Sequence, residues 1–218
     1  YPNTAPLAAF PLGGVGTGSL SLHASGALTA FEIFNRPSKN NKLPYSFFSI
    51  YTAWNGKTDA RVLEARRMPD FDQGRGYHPQ QVMGLPRFTA SVMETAFPFA
   101  RISFEEPSLP LSVSLEAFIP FIPLQVDESG IPAVSFCYRV LNIGTSPAEV
   151  LIAGSMPNIY HHQGFDTFDN YLPDSRRENI AVRKVGLSGV WMTGNGLKED
   201  DLTYANSAIL TSEDSALL

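Results

Sequence analysis

The sequence predicts an all-β chain folded as an antiparallel sandwich, and three observations carry that prediction. From Phe88 onward, short aromatic and β-branched runs recur between turn signals, the spacing expected of stacked antiparallel sheets. No window shows the apolar stripe of an amphipathic helix. Seventeen prolines and seventeen glycines punctuate a chain that also holds fifteen Phe and eight Tyr. That share of Pro and Gly is above the usual one but below that of a disordered chain. With 218 residues, 44% of them hydrophobic and 17% charged, a substantial core is within reach. A single domain over 1–218 is expected, since sandwiches of this length often form one unit.

The elements follow in order. Residues 1–9 read as a loose lead-in. Four glycines in a six-residue stretch, Gly13, Gly14, Gly16 and Gly18, then mark a place where the backbone turns tightly or lies close to something else. Leu20–Leu22 and Ala27–Phe34 are short strands joined through His23-Ala24-Ser25-Gly26, and 35–44 is polar loop. Ser46–Trp54 is a strand, and Asn55-Gly56 turns it back along Arg61–Arg66, the strongest short hairpin signal. Residues 68–87 form a long loop, of the kind that is usually functional or packed on another domain. Regular strands follow at Phe88–Glu94, Pro98–Phe104, Leu111–Ala117, Phe121–Val126, Ala133–Leu141 and Ala148–Ala153. A polar, aromatic stretch over 155–178 interrupts them, and Asn179–Val185, Val190–Thr193 and Ala205–Thr211 resume the pattern.

Bulk properties exclude several classes. Net charge is −5 and the densest basic cluster is only Arg61, Arg66 and Arg67. Nucleic acid is therefore not an expected partner, because phosphate neutralisation needs a concentrated basic surface. No apolar run is long enough for a membrane-spanning helix. The lone Cys137 lies in an alternating run and reads as a small buried hydrophobe, so no disulfide framework is expected. The opening Tyr1-Pro2-Asn3, without Met, and an end at Leu218 without a closing element make a fragment the expectation. The compartment is not fixed by these features.

G-G-V-G-T-G fits neither the Rossmann fingerprint nor the P-loop: no Lys follows and no helical period continues it. No cofactor is expected. Asp70-Phe71-Asp72-Gln73-Gly74 lacks the remaining ligands of a calcium loop. His161-His162 would face opposite ways on a strand; Asp166 or Asp169 could complete a site with one of them, but surface or interface histidines are the plainer reading, and no metal is expected. Glu105-Glu106 and Glu199-Asp200-Asp201 sit beside turns, where carboxylates are simply solvated. Gly16-Thr17-Gly18-Ser19-Leu20 is not a nucleophile elbow. Trp54, Tyr77, Phe165, Phe168, Tyr171 and Trp191 could stack on sugars, or belong to the core. No catalytic apparatus is visible.

Phe10-Pro-Leu-Gly-Gly-Val-Gly-Thr-Gly-Ser19, followed by Phe31-Glu-Ile-Phe-Asn-Arg-Pro37, resembles the opening of the N-terminal domain of the family 116 glycoside hydrolases. That family includes the bile-acid β-glucosidase, or non-lysosomal glucosylceramidase, and prokaryotic relatives. The resemblance continues through Thr95-Ala-Phe-Pro-Phe-Ala-Arg101, Leu115-Glu-Ala-Phe-Ile-Pro-Phe-Ile-Pro123, Ser129-Gly-Ile-Pro-Ala133 and Val140-Leu-Asn142. It implies a large two-sheet β-sandwich, a super-sandwich cut short here at its C-terminal end. It also implies an α/α-barrel catalytic domain following in the same polypeptide. The family's nucleophilic glutamate and acid/base aspartate belong to that barrel and match no position here, so no catalytic residue is assigned.

On this reading the chain is a non-catalytic domain of a retaining β-glucosidase or glucosylceramidase, and it meets glycoside substrate only through the full enzyme. Its expected partner is the C-terminal catalytic domain of the same polypeptide. Gly13, Gly14, Gly16, Gly18, Tyr77, His161, His162 and Phe165 are the candidates for the surface that packs on that domain and shapes a rim of the sugar cleft. The alternative is a stand-alone carbohydrate-binding or protein-interaction sandwich.

Overall fold

The computed structural model describes residues 8–34, 37–38, 43–66, 82–163, 172 and 174–213. The chain gathers into two compact units, residues 1–153 and 154–218. In the first, β1 (Ala9–Gly13), β2 (Ser19–His23) and β3 (Leu28–Glu32) form a three-stranded antiparallel sheet. β4 (Phe47–Trp54), β5 (Lys57–Ala65) and β6 (Arg87–Phe88) are joined by a later strand to give a four-stranded sheet. β7 (Ala90–Ala96), β8 (Phe99–Glu105) and β9 (Leu111–Phe118) begin another. After a short helix α1 (Val126–Ser129), β10 (Ser135–Asn142) completes the sheet of order β10-β9-β8-β7. β11 (Ala148–Ser155) completes the other as β11-β4-β5-β6. β5 pairs with β6 in parallel, whereas β1–β2, β2–β3, β4–β5, β7–β8, β8–β9 and β9–β10 are antiparallel. The fold is an open, almost wholly β architecture of the sandwich type.

Alternation decides what lies inside. In β8 the buried residues are Ala100, Ile102 and Phe104, and in β9 they are Leu111, Val113, Leu115 and Ala117, every second position as the pleat requires. They share one core with Phe10, Leu12 and Leu22 of the small sheet and Ile50, Leu63 and Phe88 of the other four-stranded sheet. Rings meet across the layers: Phe48 lies 5.2 Å from both Phe136 and Tyr138, and Phe88 lies 5.2 Å from Phe104. Each such side chain withdrawn from water contributes about 1.5–3 kcal/mol before conformational entropy is charged against it. The Asn55-Gly56 hairpin forms as expected, with φ of +46° and +70° and Trp54 opposite Lys57, the primed turn that matches strand twist.

Three expectations are corrected. Phe121–Val126 is not a strand. Pro120 and Pro123 cannot donate to a ladder, and the Gln125 amide instead closes a turn on the Ile122 carbonyl at 3.0 Å, leading into α1. Cys137 is exposed: its strand does alternate, but Phe136, Tyr138 and Val140 take the core side and Cys137 falls with Ser135 and Arg139 on the outer face. Glu106 is not simply solvated. Its side chain is 8% exposed and accepts a 2.9 Å bond from Arg61.

That contact belongs to a polar node. Arg61 forks onto Asp59 (2.7 and 3.0 Å) and reaches Glu106, Ser108 Oγ (3.1 Å) and the Arg87 carbonyl (3.2 Å). Arg87 in turn donates to Glu64 at 3.0 Å. Burial raises the Glu106 carboxyl. Hydrogen bonds from Ser108 Oγ, Thr89 and the Ser108 amide, with the Arg61 charge, outweigh burial and hold it below its ordinary value.

In the second unit, β12 (Arg177–Lys184), β13 (Leu187–Gly194) and β14 (Ser207–Thr211) form an antiparallel sheet in that order. Register divides its faces. Met192, 2% exposed, looks to one side, while Ile180, Trp191 and Ala208 stand opposite one another on the other. Tyr160 is fully buried, its hydroxyl accepting the Leu197 amide at 2.9 Å and its ring edge-on to Tyr204. A Cβ on Gly194 would stand 2.2 Å from the Tyr160 ring, so the missing side chain is what seats the tyrosine. Asn158 faces the Glu178 and Thr193 carbonyls at 3.0 and 2.7 Å and accepts from the Tyr160 amide.

Candidate docking surface

The glycine stretch runs out of β1 at Gly13 and back into β2 after Gly18. Between them the loop leans on the segment that includes α1. The Val15 amide donates to the Ser129 carbonyl at 2.8 Å, and Thr17 Oγ1 donates to the Gly130 carbonyl at 2.7 Å. Gly14 is where the two backbones come closest: a Cβ there would lie 2.5 Å from the Gly130 oxygen and 2.7 Å from the Ile131 oxygen. Real Cβ atoms do not stand that near a carbonyl, so this position is closed to any side chain. Gly13 and Gly18, both with positive φ, also approach their own unit, Gly13 against Ser19 and Gly18 against Glu32. Gly16 faces open space.

The partner segment is held by its own bonds. Ser129 Oγ donates to the Ile122 carbonyl at 2.9 Å and accepts from the Ile122 amide at 3.1 Å, and the Gly130 amide closes on the Val126 carbonyl. A row of rings adjoins it: Phe10 to Phe97 at 6.4 Å, then Phe97 to Phe121 at 4.8 Å in an edge-on pair. Four sequence stretches noted above as motifs (Phe10–Ser19, Thr95–Arg101, Leu115–Pro123 and Ser129–Ala133) therefore meet at one place. The surface they make is apolar. Val15, Phe97, Ile122, Leu124, Val126 and Ile131 are all exposed there, Phe97 by 58%.

The histidine pair lies in the second unit, in a turn and not on a strand. His161 has φ +51° and is buried; His162 is half-buried. His161 Nδ1 meets the Asp174 carboxylate, and its Nε2 lies 2.7 Å from the Gln163 amide nitrogen. Arg176 forks onto the same carboxylate, Nε to Oδ1 at 3.1 Å and Nη2 to Oδ2 at 3.0 Å. Arg176 first, then its backbone amide and His161, hold the Asp174 carboxyl well below the usual range. Asp201 is lowered too, by the Thr203 hydroxyl and amide. Every partner in this cluster is spent on its neighbours, and the arrangement acts as a clasp that fixes the turn to the start of β12. No three metal-ligating side chains converge among the described residues. Tyr77, Phe165, Asp166 and Asp169 lie outside the described residues, as do Asp70 and Asp72.

The four glycines thus share one loop, with Gly14 buried, Gly13 and Gly18 half-buried and Gly16 exposed, while His161 and His162 lie in a separate unit. Sequence reasoning missed the exposed apolar turn at 122–126, since Phe121–Val126 read as strand; the signal is Pro120 and Pro123, spaced so that no ladder can form. Over residues 9–217 the chain matches the family described as beta-glucosidase 2, glycosyl-hydrolase family 116 N-term. No curated protein matches it.

Proposed function

Because the chain belongs to the N-terminal domain family of glycosyl-hydrolase family 116, we propose that it is the non-catalytic sandwich of a retaining β-glucosidase, packed on the catalytic domain of the same polypeptide and shaping one rim of its sugar cleft. The observation that carries this reading is the convergence of four of the family-like motifs at the glycine loop and the segment that includes α1. A sandwich that only supports chemistry needs a rigid contact surface, and the Gly14 approach to Gly130 and Ile131 supplies one. The substrates of the full enzyme are β-glucosides, with glucosylceramide-like lipids the finer possibility to assay. Gly13, Gly14, Gly16 and Gly18 are its contact candidates in the first unit, His161 and His162 in the second, with Tyr77 and Phe165 joining them.

The test is kinetic. In the full polypeptide, Gly14→Val displaces 129–131 and is expected to lower kcat/KM on an aryl β-glucoside at least ten-fold, with a stability loss of about 1–3 kcal/mol from overpacking. Wild-type kinetics together with wild-type stability would sink the idea. A second reading, a glycan-binding module, draws on Trp191, which is 42% exposed on a sheet face that continues through Thr193 to Asn206, the Thr193 hydroxyl donating to Asn206 Oδ1. Glycan binding by the 218-residue chain that disappears in Trp191→Ala would favour it.

A further inference from the structure

Trp191 stands in the middle strand of the second unit's sheet and is 42% exposed. Register fixes its neighbours: Ile180 of β12 lies opposite it on one side and Ala208 of β14 on the other. Strand alternation puts Thr193 on the same face, two residues on, with Glu178 opposite it. In the other direction Gly189 offers no side chain beside the indole. The row through Thr193 is set by its own bonds. The Thr193 hydroxyl donates to Asn206 Oδ1 at 2.6 Å, which leaves the Asn206 amide nitrogen as a donor. Asn195 Nδ2 donates to Glu178 Oε1 at 2.5 Å, which leaves Glu178 Oε2 as an acceptor. A donor and an acceptor, each with its orientation fixed, therefore lie one row from an exposed aromatic ring, roughly 7 Å along the strand.

The charges of this face narrow the ligand. Glu178 is in the row next to Trp191, whereas Lys184 is two rows away, opposite Leu187. A carboxylate as the near charge disfavours a phosphate or an acid, while an amide donor beside a carboxylate acceptor suits hydroxyl groups, which both donate and accept. We propose that this face binds a neutral pyranose with equatorial hydroxyls, a β-glucopyranosyl ring, its C–H face stacked on Trp191 and its rim hydroxyls bonded to Asn206 and Glu178. Equatorial hydroxyls lie near the plane of the ring. A ring laid flat on the indole therefore sends them sideways to the polar row and keeps its C–H bonds against the aromatic face. The inference rests on the glycan-binding reading above and deepens it by naming the sugar and the groups that hold it. Every group it names belongs to the 218-residue chain.

The test is titration of the 218-residue chain with methyl β-glucopyranoside, followed by NMR through the backbone amides of β13 and β14. Saturable shifts centred on Trp191, Thr193 and Asn206 are expected. Trp191→Ala should weaken the affinity about ten-fold, and Trp191→Phe, which keeps an aromatic face, should recover most of it. Asn206→Leu and Glu178→Gln should each weaken it several-fold with the melting temperature unchanged, and unaltered affinity in both would overturn the polar row. Glucitol, which carries hydroxyls without a rigid ring face, should not bind. Affinity that survives Trp191→Ala overturns the site and leaves the glycan-binding reading standing, as does binding of methyl α-mannopyranoside with none of the glucoside. Binding of neither sugar overturns both.

Discussion

The interior between the sheets and the ledge at 121–131 are built from the same residue types and do opposite things. Leu115 is 1% exposed and touches a shared core; Leu124 is wholly exposed and strained. Inside, alternation and burial agree, and each apolar side chain works for this chain's own stability. On the ledge, proline and positive φ break the alternation, and the apolar side chains stay exposed. Hydrophobicity alone does not distinguish the two; backbone conformation does.

The comparison breaks first at its polar seam. Arg61→Met leaves Glu106 and Asp59 without their cation at the edge of the core and should cost about 3–5 kcal/mol in denaturant unfolding. A loss under 1 kcal/mol would mean that the node is solvated and that the interior is less demanding than argued. Leu115→Ala should cost about 2–5 kcal/mol by the same assay. A cost as small as that of Leu124→Asn, near zero in this chain, would erase the distinction between core and ledge.

Acid sharpens the contrast more gently. Glu106 and Asp174 both have folded-state values below their unfolded ones. Their stabilisation is therefore fully present above the ordinary carboxylate range and is lost as pH falls through the lowered folded values. Stability should decline below the ordinary carboxylate range, and Glu106→Gln should flatten the upper part of that decline. A melting temperature that rises as pH falls in this window would show that the sign is wrong.

Much of the fold was legible because alternation is a local property. β8 and β9 could be read from Phe104, Val113 and Leu115 alone, and Asn55-Gly56 announced its hairpin. The Arg61 node was not legible: Glu106 and Ser108 lie 45 and 47 residues from Arg61, and nothing near Glu106 in the sequence distinguishes a buried carboxylate from a solvated one. Cys137 shows a subtler limit. Alternation gave the right periodicity, but which of the two faces is inward is decided by what packs there, and Phe136 and Tyr138 outweigh a thiol. The glycine spacing marks a place of close approach, but only the fold brings Gly130 and Ile131 of the same unit to Gly14.

The outward thiol also gives the chain a single chemical address. Cys137 is its only cysteine, it stands on the outer face of an edge strand, and no core contact depends on it. A maleimide dye attached there marks one face of the sandwich stoichiometrically without touching the packing. Energy transfer from Trp54, the tryptophan of the same unit, to that dye would follow unfolding of the first unit in real time.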